Sequence, residues 1–271
     1  MIPAAFEYVR VDSVDAAIAA LTEHGDDAKL LAGGMSLIPL MKLRLATPTV
    51  VVDVGRLRDL SYVRDGGDHV AIGALTRHRD LEISDVLAQH CPSLQGVAGE
   101  VGDNQVRHRG TLGGSVAHGD PASDLPAVLL ALDATLVAQG PNGERTIAVA
   151  DFFEGFLETT LAPDELLTEI RVPKATGGWN YQKFNRRAQD WAIVGAVVVN
   201  NGSTRVSLVN MGSTPLRASA VETALAGGAS IEDAAQAAAE GTEPPADLNA
   251  SPEYREHLAR VLVRRALEAA S

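Results

Sequence analysis

Two short glycine-rich segments carry the residue types best suited to chemistry. The first is Ala32-Gly33-Gly34-Met35-Ser36 and the second is Thr111-Leu112-Gly113-Gly114-Ser115. Adjacent glycines let a backbone bend tightly and approach a ligand closely, because no Cβ intervenes. Free N–H groups at such a bend form a nest for phosphate oxygens, and Ser36 adds a hydroxyl donor. Neither segment matches the G-x-G-x-x-G or G-x-x-x-x-G-K-[ST] fingerprint, and each alone also reads as a plain strand-to-helix turn. As a pair they say more. Two hydroxyl-bearing double-glycine turns can clasp the two phosphates of a dinucleotide without a basic residue, since backbone dipoles supply much of the compensation. Valines at Gly113 and Gly114 are then expected to block the phosphate path while leaving the fold largely intact.

Two other segments invite chemistry. His118-Gly119-Asp120-Pro121-Ala122-Ser123-Asp124 holds an imidazole and two carboxylates, but with no metal-ligand spacing. Asp124 reads better as a helix-start residue or an acceptor for a ligand hydroxyl. In the stretch from Lys183 to Ala192, Lys183 and Arg186 could meet a phosphate or an electron-rich ring edge, and Trp191 could stack on a planar cofactor. A charged hairpin edge explains the same residues. No nucleophile–base constellation stands out among the scattered histidines.

The elements that must position these segments follow from hydrophobic periodicity. Ser13 caps a helix whose apolar residues Val14, Ala17, Ile18 and Leu21 run to Gly25. Lys29-Leu30-Leu31 is a short strand leading into the first glycine segment. A short helix with Pro39 in its first turn and a β-branched strand over residues 50–54 complete an α/β unit. Further on, a strand over 70–73, helices within 76–98 and a buried helix over 125–132 flank the second glycine segment. Strands follow near 135–138, 145–149 and 166–172. Residues 174–178 read as a linker. Strands over 179–184, 193–199 and 205–209 precede a closing helix capped by Ser251, with Pro252 in its first turn and a stripe of Tyr254, Leu258, Val261 and Leu262. The expected segments are 1–55, 56–174 and 178–271.

Composition narrows the function. With 46% hydrophobic and 21% charged residues, the chain reads as an ordinary soluble globular protein. A net charge of -12 disfavours nucleic acid and anionic lipid surfaces. One cysteine, Cys91, cannot hold an iron–sulfur cluster or a Cys-rich zinc site, and a reducing cytoplasmic setting fits it best. No run reaches the ~20 apolar residues of a membrane span, and no signal-peptide pattern opens the chain.

The stretches Ala32-Gly33-Gly34-Met35-Ser36-Leu37-Ile38-Pro39-Leu40-Met41-Lys42 and Gly110-Thr111-Leu112-Gly113-Gly114-Ser115-Val116-Ala117-His118-Gly119-Asp120-Pro121-Ala122-Ser123-Asp124-Leu125-Pro126 resemble the two flavin-binding loops of a known family. It comprises the medium, FAD-binding subunits of xanthine dehydrogenases and aerobic carbon monoxide dehydrogenases, which are molybdenum hydroxylases. Lys183, Arg186, Asp190 and Ala192 match a third signature. The opening Met1-Ile2-Pro3 with Phe6-Glu7-Tyr8, and Lys42-Leu43-Arg44-Leu45-Ala46-Thr47-Pro48, match as well, so the resemblance covers essentially the whole chain.

The resemblance implies an α+β fold. A two-part FAD-binding domain of the vanillyl-alcohol-oxidase/PCMH type, a small α/β sub-domain plus a larger α+β one, is followed by a C-terminal three-stranded sheet with helices. It implies non-covalent FAD held by residues 32–36 and 111–115. Leu30, Leu31 and Leu37 would border the first loop, with Val101, Asp124, Leu167 and Lys183 as further contacts and Trp191 shielding one flavin face. Met35 stands where relatives usually carry a polar residue, and Ser115 where they often carry Asn. The implied role is electron relay in a heterotrimer, paired as a dimer of heterotrimers. A small subunit would carry two [2Fe-2S] clusters and a large one the molybdenum cofactor, with an external acceptor such as a quinone. Any membrane contact would be made through partners. The ends of the chain resemble the carbon monoxide dehydrogenase branch most, which implies oxidation of carbon monoxide to carbon dioxide. Aldehyde, purine and nicotine-like N-heterocycle dehydrogenases share the same loops, and a non-redox nucleotide-binding module is the rival from another class.

Overall fold

The computed structural model describes residues 2–270, so Met1 of the opening motif and Ser271 of the third segment lie outside it. The chain starts with β1 (Glu7–Arg10) and α1 (Val14–His24). The Ser13 hydroxyl accepts a hydrogen bond from the Ala16 amide and starts α1, which ends at Gly25. Then come β2 (Ala28–Leu31), α2 (Leu37–Leu43) and β3 (Val50–Asp53). The three strands form a parallel sheet in the order β1-β3-β2. Val50, Val51 and Val52 are all buried in the central strand, as a β-branched run covered on both faces should be.

The second unit contains β4 (Val63–Asp65), β5 (His69–Gly73) and helices α3 (His78–Glu82), α4 (Asp85–His90), α5 (Pro92–Gly99), α6 (Asn104–Arg107), α7 (Leu112–His118) and α8 (Asp124–Ala131). Next are β6 (Thr135–Gly140), β7 (Gly143–Ala148), the small hairpin of β8 (Phe153–Gly155) and β9 (Glu158–Thr159), and β10 (Leu166–Pro173). Five of these strands form an antiparallel sheet ordered β4-β5-β10-β6-β7. Every residue of α8 is buried, because this apolar helix lies between α5 and the sheet of the next unit. That burial carries Asp124, at its first turn, into the interior.

The last unit is a sheet of β11 (Trp179–Phe184), β12 (Val194–Asn200), β13 (Thr204–Val209) and the two-residue edge strand β14 (Leu216–Arg217). It is followed by α9 (Ser219–Ala226), α10 (Ile231–Gln236) and α11 (Pro252–Ala270). The three long strands appear where the sequence puts them; β14 is too short to leave a period-2 signal. Leu258, Leu262, Ala266 and Ala270 of α11 close a separate core beneath this sheet.

The main core crosses from the second unit into the third, taking in Val197, Val199 and Val209. The buried Ser207 hydroxyl donates to the Ala127 carbonyl at 2.5 Å across the same boundary. Residues 174–178 are not a loose linker. Ala175 is buried and its amide donates to the His90 carbonyl. A Cβ on Gly177 would stand 1.6 Å from the Asn200 carbonyl oxygen, so glycine marks close packing here rather than flexibility. Among the described residues, no helix is long and apolar enough to cross a membrane.

Candidate functional site

The two glycine segments are packed against each other. A Cβ on Gly33 would lie 2.1 Å from the Arg109 carbonyl oxygen and 2.9 Å from the Gly110 Cα. A Cβ on Gly114 would face the Ala32 methyl at 3.8 Å. Gly34 has φ of 76° and a side-chain position already taken by Ile38 and Leu31, so only glycine suits this bend.

The segments differ in what their amides do. Among the described residues, the N–H groups of Gly33, Gly34, Met35 and Ser36 make no hydrogen bond to protein, whereas the Gly34 and Ser36 carbonyls accept from Ile38 and Leu40. This bend is a nest of unspent donors. The second segment is not a matching nest. Leu112 and Gly113 donate to the carbonyls of Thr76 and Ala74, at 2.9 and 2.8 Å. Gly114 donates to the Thr111 hydroxyl, which caps α7, and Ser115 donates to the Thr111 carbonyl. What reads locally as a second free turn is the first turn of a helix tied to the end of β5. The expectation about valines changes too. A Cβ on Gly113 would collide with Ala74 at 2.6 Å, so a larger residue there damages the fold rather than blocking a ligand.

A cavity of about 820 Å³ opens between the segments. Of the residues expected at the site, Leu30, Ala32, Gly33, Gly34, Met35, Ser36 and Leu37 line it from one side and Thr111, Gly113, Gly114 and Ser115 from the other. Val101, Asp124, Leu167, Lys183 and Trp191 complete the lining. Leu31 and Leu112 do not reach it. Leu31 supports Gly34 from behind, and Leu112 is fully buried in the main core because the α7 turn points it inward. Arg186 is also absent from the lining, while its neighbours Gln189 and Asp190 contribute.

Asp124 and Lys183 meet each other at the cavity wall. Lys183 Nζ lies 2.9 Å from one carboxylate oxygen and donates to the Glu100 carbonyl at 3.0 Å. The Tyr181 hydroxyl donates to the other carboxylate oxygen at 2.5 Å. Tyr181 and Lys183 are two apart on β11, so they share one face of the strand. Burial pushes the Asp124 carboxyl up from the usual range, with Lys183 and Tyr181 opposing. Burial and the same carboxylate push the Tyr181 phenol well up. Sequence reading missed Tyr181, although period-2 spacing with Lys183 could have found it. It also missed His78, whose ring lines the cavity and whose Nδ1 has no partner among the described residues. Burial, then the Arg107 charge, lowers the His78 pKa to about 4, so it is neutral at physiological pH.

Residues 4–175 match the family model described as the FAD binding domain in molybdopterin dehydrogenase, and residues 179–270 match the CO dehydrogenase flavoprotein C-terminal domain. The chain belongs to this flavoprotein family. It is similar to the carbon monoxide dehydrogenase medium chain of Hydrogenophaga pseudoflava, with 43% identity over 282 residues that cover 100% of this chain and 98% of the relative. The 6-hydroxypseudooxynicotine dehydrogenase complex subunit alpha of Paenarthrobacter nicotinovorans is 38% identical over 280 residues, covering 98% of this chain and 95% of the relative. Among solved structures, a carbon monoxide dehydrogenase from Hydrogenophaga pseudoflava that lacks the Mo-pyranopterin moiety superposes with a TM-score of 0.96. That match has 44% identity and covers 100% of this chain and 98% of the other. The cofactor of this flavoprotein is FAD, and the protein is an oxidoreductase subunit.

The residues fit that cofactor. Unspent amides at Gly33 to Ser36 suit a diphosphate, the lack of a side chain on Gly114 leaves space opposite the Ala32 methyl, and the volume falls in the range of small-molecule sites. No side-chain cation is needed at the bend, and the nearby Lys183 is already paired with Asp124.

Proposed function

We propose that this flavoprotein is the electron-relay subunit of a molybdenum hydroxylase. Its FAD would receive electrons from [2Fe-2S] clusters on a small partner subunit and release them to an external acceptor such as a quinone. A large partner subunit would carry the molybdenum cofactor and the substrate. The leading overall reaction is carbon monoxide plus water to carbon dioxide, two protons and two electrons. What supports it over aldehyde, purine or nicotine-like substrates is the higher identity to the carbon monoxide dehydrogenase medium chain, 43% against 38% for the 6-hydroxypseudooxynicotine dehydrogenase subunit. Assembly as a dimer of heterotrimers in the cytoplasm belongs to the same reading.

One observation carries the proposal: the cleft between two interlocked glycine segments offers free backbone amides on one wall. Bound FAD supplies a centre that can be filled by one-electron donors and emptied by a one- or two-electron acceptor. The protein's own groups do the rest. The amides of Gly33 to Ser36 hold the diphosphate, and the Thr111 and Ser115 side chains face it from α7. The Asp124–Lys183–Tyr181 cluster is a rigid polar wall with its charges already balanced. Trp191, an exposed residue of the cavity lining, would shield one face of the flavin.

The test is to purify the chain together with the products of its neighbouring genes. A yellow complex containing molybdenum and iron that is bleached by carbon monoxide supports the full reading. Bleaching only by an aldehyde or N-heterocycle moves the substrate and keeps the relay. A colourless chain that cannot be loaded with FAD favours the non-redox nucleotide-binding module.

A further inference from the structure

The cleft offers free amides from one wall only. On the other, Leu112 and Gly113 spend theirs on the Thr76 and Ala74 carbonyls, and Gly114 spends its own on Thr111. A diphosphate carries acceptor oxygens all round, and each one shut away from water without a donor costs free energy. Donors from the second wall must therefore come from side chains. Thr111 and Ser115 offer hydroxyls there, and beside them stands His78.

His78 opens α3, and its amide donates to the Gly110 carbonyl at 3.0 Å, which ties its backbone to the residue before Thr111. The ring lies against the same glycine. A Cβ on Gly110 would stand 2.7 Å from His78 Cδ2 and 2.8 Å from Nε2, so the imidazole takes the space that a larger residue at 110 would fill. Gly110 in turn reaches the first segment, because its Cα is 2.9 Å from where a Cβ on Gly33 would be. His78, Gly110 and Gly33 all line the cavity. The imidazole thus stands at the junction where the run of free amides begins.

The protein itself uses neither ring nitrogen. Nδ1 is buried without a partner, and Nε2 makes no hydrogen bond within the described residues. The residue is only 4% exposed, so bulk water does not serve it either. Burial, and after it the Arg107 charge, leaves the ring neutral, with one proton to place. Nδ1 faces no acceptor, and a buried N–H without one is rare in folded proteins, so the proton belongs on Nε2. A leucine would fill the same space with no polar atom to satisfy. The imidazole is the better residue only when something in the cleft accepts its N–H.

We propose that His78 is a cofactor-binding residue whose Nε2–H donates to the diphosphate of FAD from the wall of the second glycine segment. The inference rests on the reading of the cleft as a diphosphate site. It gives the two walls different donors, main-chain amides on one and an uncharged side-chain N–H on the other. An uncharged donor suits this position, because the Arg107 guanidinium, already paired with Glu82, opposes a second cation beside it.

The test uses the full-length chain freed of FAD. Its probes are FAD, ADP, and the phosphate-free halves riboflavin and adenosine. By calorimetry, His78→Leu is expected to weaken FAD and ADP about tenfold each and to leave riboflavin and adenosine within about twofold. A second measurement needs no substitution. In the wild-type chain with isotope-labelled histidine, ADP should shift the Nε2 resonance of the imidazole that stays neutral to the lowest pH, and riboflavin should not. Equal ADP affinity in the two chains, an equal loss for ADP and a phosphate-free probe, or an unmoved His78 resonance overturns the proposal. A wild-type chain that takes riboflavin but not ADP is a different result: it defeats the diphosphate reading of the cleft, and this assignment falls with it.

Discussion

Gly33 and Arg109 touch so closely that a single methyl group on Gly33 would sit 2.1 Å from the Arg109 carbonyl oxygen. This contact locks the first glycine segment to the backbone leading into the second and sets the width of the cleft. Gly33→Ala is therefore expected to push the segments apart and weaken FAD binding by about tenfold or more, with a loss of stability of roughly 1–3 kcal/mol from overpacking. Flavin release measured by fluorescence checks it, and unchanged affinity would mean the diphosphate is not held at this junction.

Gly113 and Gly114 should respond differently although they are adjacent. Gly113→Val meets the Ala74 backbone and should lower the thermal midpoint strongly. Gly114→Val meets the Thr111 hydroxyl and the space opposite Ala32, so FAD affinity should fall more than stability does. Paired melting and FAD titrations separate the two; equal effects on both properties at both positions would contradict the assignment.

The Asp124–Lys183 pair gives a double-mutant cycle. Lys183→Met leaves a buried carboxylate with Tyr181 alone and should cost about 3–5 kcal/mol. Adding Asp124→Asn removes the uncompensated charge and should recover part of that loss. Denaturant unfolding of the single and double variants tests it, and simple additivity would show that the two groups do not interact.

His78 predicts a pH dependence. Its folded pKa of about 4 lies below the ordinary 6.5, so the unfolded chain binds a proton first as pH falls. Its contribution is fully present above pH 6.5 and is lost progressively toward pH 4, about 3 kcal/mol in all. His78→Leu should flatten stability across that window relative to wild type. Parallel pH–stability curves would refute the assignment.

Met35 is partly exposed at the cavity with its side chain unpaired, beside free amides. Met35→Gln should add one hydrogen bond to the cofactor, worth about 1 kcal/mol or roughly fivefold in affinity. Titration of the FAD-free chain with FAD measures it.

Much of the fold is written locally. The Ser13 cap, the valine run of β3 and the Ser251 cap of α11 specify their elements through patterns that need no distant partner, although of the α11 stripe read from the sequence only Leu258 and Leu262 are buried and Tyr254 is exposed. The two glycine segments and the stretch from Lys183 to Trp191 are equally legible, and with them the flavoprotein family. Tertiary structure alone decided how those residues are used. Both glycine segments carry similar donors, but β5 lies beside the second, so the Ala74 and Thr76 carbonyls take the amides that the first segment keeps free. Leu112 faces the core and Lys183 meets Asp124 for the same reason. A residue's type fixes what it can bond to, whereas the partner it gains depends on which distant element the folded chain brings within about 3 Å.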